Sequence, residues 1–84
     1  MVNFCPLCDN LRVLETHHIY AGQGRRKKSD KYGAVIQVCH ECHMAIHEHP
    51  KKYEYIKRNT QIVLMHKNNW DKEDFIREFG KSYL

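Results

Sequence analysis

Apolar and polar residues alternate through Leu11-Arg12-Val13-Leu14-Glu15-Thr16-His17-His18-Ile19-Tyr20, the period-two pattern of a strand. With Val13 taken as inward, Glu15 and His17 share its side and Leu14, Thr16 and His18 take the other, so the adjacent imidazoles point in opposite directions. Val2-Asn3-Phe4 is a short extended piece ahead of it, and Tyr32 to Val38 is a second strand. Between them, residues 21–31 hold two glycines and no apolar anchor, which predicts a flexible surface loop. A helix follows from about Glu41 and ends by His49, because Pro50 disfavours helical geometry in the residue before it. Pro50 can open the next helix, over Lys51 to Lys67, with a packing stripe of Tyr53, Ile56, Thr60, Val63 and His66. Asn68-Asn69 stop that helix. Asp71 then caps another, with an acidic residue at N3, Trp70 placed to staple against Phe75, Phe75 and Phe79 on one face, and Gly80 as C-cap. The side chains of Tyr83 and Leu84 are placed to dock back. The pattern predicts a small α+β fold in one domain, 1–84, with a core over 1–50 and a helical extension over 51–84.

A core built from 84 residues is modest, and chains of this size commonly need a staple. Four cysteines can supply it. Residues 1–20 do not resemble a secretion signal, since Asn3, Cys5, Asp9, Asn10 and Arg12 interrupt any apolar run. No stretch approaches the roughly 20 apolar residues of a membrane span. The reading is a cytoplasmic, reducing setting, in which paired cysteines favour metal over disulfides or free thiols.

Charge is unevenly spread. The formal charge is +4, with five basic residues in 21–31 (Arg25, Arg26, Lys27, Lys28, Lys31) against Asp30. Five more (Lys51, Lys52, Lys57, Arg58, Lys67) lie in 51–67 against Glu54. Two basic segments therefore sit on a slightly acidic body, a distribution suited to a polyanion.

Cys5-Pro6-Leu7-Cys8 and Cys39-His40-Glu41-Cys42 are both Cys-x-x-Cys, the spacing of a zinc knuckle, and 30 residues separate the pairs. All four can hold one tetrahedral structural zinc that anchors the start of the following helix. An arrangement of three cysteines and one histidine, with His43 replacing one cysteine, uses the same stretch differently. His43 and His47 are four apart, so on a helix they stand on one face. Together with His17 they can hold a divalent cation that keeps positions open for water and a phosphate oxygen, with His18 beside it. An imidazole near neutrality is suited to taking a proton from water.

Glu15-Thr16-His17-His18-Ile19, an intervening loop, then Val38-Cys39-His40-Glu41-Cys42-His43 and His47 resembles the HNH endonuclease superfamily, the ββα-metal fold. The segment Arg25 to Gly33 and the ending Phe75 to Leu84 are similar to small bacteriophage-borne HNH proteins, some related to recombination-enhancing nucleases. The resemblance implies a zinc-stapled ββα-metal core with C-terminal helices. It implies His17, His43 and His47 as ligands of a catalytic cation (magnesium, manganese, nickel or zinc), His18 as general base, and Cys5, Cys8, Cys39 and Cys42 on the structural zinc. The family often has an asparagine about five residues before the helix-start cysteine, which orients the base; Ala34 stands there in this chain, with Tyr32 two residues earlier.

The function read from these residues is metal-dependent hydrolysis of DNA phosphodiester bonds with weak sequence preference. Arg25, Arg26, Lys27, Lys28, Lys31, Lys51, Lys52, Lys57 and Arg58 would contact the backbone. Phosphate attraction alone does not separate DNA from RNA. The rival reading is a non-catalytic, zinc-stabilised nucleic-acid-binding module assisting phage or host recombination or packaging.

Overall fold

The sheet is built outward from its middle strand. In the computed structural model, which describes residues 1–22 and 24–84, β1 (Val2–Phe4) and β3 (Val35–Cys39) pair antiparallel with β2 (Leu11–His18) on its two sides. Val2 faces Val13 and Phe4 faces Leu11 across one ladder, while Leu14 faces Cys39 and His18 faces Val35 across the other. Three residues make β1 short because the knuckle follows at once: the Cys5 N–H donates to the Asn10 carbonyl at 2.9 Å and the Asp9 N–H to the Cys5 carbonyl at 2.7 Å. Asp9 adopts positive φ to close this turn, a conformation that aspartate tolerates better than most residues.

Between β2 and β3 lies a helix, α1 (Arg25–Tyr32), where the sequence pattern predicts a loop. Arginine and lysine are good helix formers, but α1 has no apolar stripe to reveal it. Its anchor is polar: the fully buried Ser29 accepts from the Tyr20 N–H at 3.2 Å and donates to the Tyr20 carbonyl at 2.7 Å. Tyr32, expected to open a strand, instead ends α1, and Gly33 at positive φ caps it. Gln23, in the same expected loop, lies outside the described residues.

Cys39 ends β3 and caps α2 (His40–Glu48), its sulfur accepting the Cys42 N–H at 3.5 Å. The helix closes before Pro50, as expected. α3 (Glu54–Asn68) starts later than Pro50, which lies in a preceding turn. Its buried residues are Ile56, Gln61 and Leu64, whereas Val63, assigned to the stripe, is 60 % exposed. Gln61 displaces the expected face because it holds the C-terminal tail: its amide donates to Ser82 Oγ at 2.9 Å and its carbonyl accepts the Tyr83 N–H at 2.7 Å.

α4 (Lys72–Phe79) has the capping box read from sequence, formed by Asp71 and Asp74, and Gly80 ends it at positive φ. Phe75 and Phe79 are fully buried and stack 4.9 Å apart, with the Tyr20 ring 5.4 and 4.6 Å from them. Trp70 sets its ring edge-on against Tyr32 at 4.8 Å. Val13, taken as inward, is 69 % exposed, and Leu14 occupies the core instead. The fold is thus α+β, an antiparallel sheet followed by helices. No described helix is long and apolar enough to cross a membrane.

Phe79→Ala is expected to cost about 3–5 kcal/mol by leaving a cavity, and Asp71→Ala about 1 kcal/mol through the lost cap. Val63→Ser should change stability by less than about 0.5 kcal/mol. Denaturant unfolding of the three variants ranks them, and a Val63→Ser cost equal to that of Phe79→Ala would contradict the packing described.

Candidate functional site

Two ligand clusters meet at α2. The knuckle after β1 and the β3–α2 junction bring Cys5, Cys8, Cys39 and Cys42 together, with all four sulfurs within 4.8 Å of one another. None is in a disulfide. Cys8 Sγ lies 3.8 Å from Cys39 Sγ, the edge of a tetrahedron whose metal–sulfur bonds are about 2.3 Å long. Burial opposes ionisation of Cys5, but N–H groups of Cys39, Leu7 and Cys8 outweigh it and draw the thiol down to about 6. Burial and the surrounding sulfurs push Cys42 in the opposite direction. Four sulfurs so close could all ionise only with a cation among them to share the charge, so this donor set fits a metal ion of the kind thiolates bind, such as zinc.

The second cluster joins β2 to α2. One nitrogen each from His17, His43 and His47 falls within 4.8 Å of the others, and the three ring centroids are 5.0 to 5.3 Å apart. Strand alternation turns His17 toward α2, and the four-residue spacing on that helix stacks His43 and His47 to meet it. His17 is buried while His47 is exposed. Burial first, then the neighbouring His43 and His47, lowers the His17 pKa to about 4, so its imidazole stays neutral, as a ligand must be. The structure therefore holds separate four-cysteine and three-histidine clusters, each able to coordinate a metal.

His18 has a different partner. Its Nε2 lies 2.8 Å from Asp30 Oδ1 on α1, a contact that fixes the ring. Ala34, at the position where the resemblance would place an orienting asparagine, is fully buried and contributes backbone only: its carbonyl accepts the Ile19 N–H at 3.0 Å. The Tyr32 hydroxyl donates to Glu78, away from this ring. A cleft of about 180 Å³ lined by His17, His18, His47 and Lys57 adjoins another of about 220 Å³ lined by His17, His18, His43, His47 and Arg26.

The basic residues divide in a way their sequence does not show. Arg25 packs its guanidinium over Gly80, and Lys28 pairs with Glu78 at 3.4 Å, so both tie α1 to the end of α4. The flexible loop expected to carry Arg25 to Lys28 is thus a helical face. Arg26 and Lys57 border the histidine clefts. Lys27, Lys31, Lys51, Lys52 and Arg58 are exposed. Lys81, not singled out in the sequence, joins Lys51 and Lys57 around a depression of about 180 Å³, and the Lys57 and Lys81 ammonium groups lie 5.4 and 4.8 Å from the Tyr83 ring. The carboxylates of Asp30 and Glu15 carry no signal of a role in the sequence, because their partners are distant along the chain. Glu15 Oε1 sits 2.6 Å from His43 Nδ1 and 3.2 Å from His40 Nδ1, and the hydrogen bond from His43 holds the carboxyl below its ordinary value. Among known proteins, the chain matches no family model, no curated protein and no solved structure.

Metal analysis is expected to find about one zinc bound by the cysteines. Cys39→Ser should lose it along with most of the folded signal, whereas His43→Ala should keep both; a folded Cys39→Ser protein with full zinc would refute the assignment. A separate expectation concerns acid. Because the His17 pKa is lowered on folding, the unfolded chain takes up the proton first, so this residue's destabilising contribution grows as pH falls from about 6.5 toward 4. His17→Asn should flatten that part of the stability profile, and an unchanged slope between pH 6.5 and about 5.5 would count against it.

Proposed function

We propose that this protein is a metal-dependent DNA endonuclease of the HNH type. The observation that carries the reading is the convergence of His17, His43 and His47 at two adjoining clefts that share His18, one bordered by Arg26 and the other by Lys57. The four-cysteine site stands apart and is mechanical, fixing the start of α2.

Arg26 and Lys57 hold phosphates on either side of the scissile one, with Lys51 and Lys81 extending the basic path beyond Lys57. His18 accepts a proton from water as the water oxygen bonds to phosphorus and the bond to the 3′ oxygen breaks; the departing oxygen takes a proton from solvent, leaving 5′-phosphate and 3′-hydroxyl ends. His17, His43 and His47 would hold a divalent cation, which would supply neutralisation of the negative charge that develops in the reaction. Asp30 supports the reading by holding the His18 ring from α1, in a chain that has Ala34 where the resemblance would place the orienting asparagine. The basic side chains carry no base-reading pattern, so the contacts are to the backbone and sequence preference is weak.

Plasmid cleavage by wild type and His18→Ala under magnesium, manganese, nickel or zinc tests the proposal. The expected result is cleavage by wild type and a loss of about 10²–10⁴-fold in the variant, with equal DNA affinity at each salt concentration. Equal cleavage by both proteins would remove His18 from the role. Salt-sensitive binding without cleavage under every metal would instead support a zinc-stabilised nucleic-acid-binding module, and salt-insensitive binding would sink both readings.

A further inference from the structure

Lys51 from the turn before α3, Lys57 on α3 and Lys81 just after α4 meet around one depression of about 180 Å³. The tail that carries Lys81 is pinned, since the Gln61 amide donates to Ser82 Oγ at 2.9 Å and its carbonyl accepts the Tyr83 N–H at 2.7 Å. The Tyr83 ring packs 5.4 Å from that of Tyr20 and receives the Lys57 and Lys81 ammonium groups at 5.4 and 4.8 Å. An aromatic face attracts each cation, and here it gathers two like charges at one place. Among the described residues, none of the three lysines has a carboxylate within ion-pair distance. Glu54 is the one acidic residue in the lining, so three ammonium groups stand against one carboxylate and two positive charges are in excess.

That excess discriminates between kinds of phosphate. An internal phosphodiester carries one negative charge, whereas a phosphate monoester carries about −1.5 to −2 at pH 7 and presents three acceptor oxygens. Compact ammonium groups on flexible stems, each with three donors, suit such a group approached from several sides. Pro50 and Lys57 line both this depression and the cleft of His17, His18 and His47, so the two adjoin.

We propose that Lys51, Lys57 and Lys81 anchor a phosphate monoester, the 5′-phosphate end of a DNA strand whose next nucleotides pass over the histidine cleft. The choice of end rests on the reaction proposed above, which makes 5′-phosphates and leaves 3′-hydroxyls; the binding itself does not depend on cleavage. A strand end left by one cut is then a ligand for the same protein, held with its next few nucleotides beside the site.

The test is fluorescence anisotropy with the zinc-loaded full chain and no other metal added. The probes are internally labelled single-stranded oligonucleotides of one sequence that carry a 5′-phosphate, a 3′-phosphate or neither. Wild type is expected to bind the 5′-phosphate strand about tenfold more tightly than the other two. Lys81→Ala should lose that preference while thermal unfolding shows it folded, and Lys81→Arg should keep most of it. Lys72→Ala, at an exposed lysine that opens α4, should bind as wild type does. Equal binding of the 5′-phosphate and unphosphorylated strands by wild type, or a preference that survives Lys81→Ala, would overturn the proposal while leaving DNA binding standing. Tighter binding of the 3′-phosphate strand would overturn the assigned end. Inorganic phosphate competing as well as an unlabelled 5′-phosphate strand would mark a site for free phosphate and overturn the strand assignment. Failure of wild type to bind any of the strands would overturn the DNA reading and this proposal with it, whereas a 5′-phosphate preference in a protein that cuts no plasmid would remove the endonuclease reading and leave the anchor supported.

Discussion

Four sulfur atoms drawn within reach of a single ion set the relation between the two ends of the sheet. Cys5 and Cys8 leave β1, Cys39 ends β3, and Cys42 lies in the first turn of α2. Cys39 is a candidate ligand and also the helix cap, so one residue decides where the strand stops and where the helix begins. That starting point sets the rotational phase of α2. His43 and His47 follow one and two turns along it and come to face His17 on β2. A chain with so few residues to bury has little other means of fixing such a phase.

The same core continues to α4, which presents Phe75 and Phe79 to Tyr20. Tyr20 links the two halves. Its ring packs on α4, its hydroxyl donates to the Lys57 carbonyl of α3 at 2.6 Å, and its backbone is gripped by Ser29 of α1. Because β2 ends two residues earlier at His18, the aromatic cluster steadies the end of the strand that carries both histidines. Lys57 also lines the His17–His18 cleft, so the helical extension contributes to that wall as well as to stability.

Residues whose spacing alone determines their geometry were legible in the sequence. Two Cys-x-x-Cys pairs and a His-x-x-x-His pair have few ways to fold, and the structure brings each set together. The capping box of α4 was legible for the same reason, since it is completed within four residues. α1 was not, because the signal for a surface helix is an apolar stripe and this one is held by Ser29 hydrogen bonds and by Tyr32 against Trp70. The buried face of α3 departs from the expected stripe where Gln61 takes a core position and binds the tail. Val13 and Leu14 exchanged their expected places because periodicity fixes which residues share a face and does not say which part of that face is covered. The carboxylates of Glu15 and Asp30 were invisible as partners, since their histidines lie 28 and 12 residues away.

The polar attachment of α1 has a consequence for how such a protein can diverge. Ser29, Asp30 and Tyr32 secure the helix at its C-terminal half, and Arg25 and Lys28 brace it against α4, leaving Arg26, Lys27 and Lys31 exposed. None of these three supplies a core contact that a substitution would tear out. Those three positions of α1 are therefore a surface that evolution can rewrite one side chain at a time, while the residues that anchor the helix and the ligand frame beneath it stay constant.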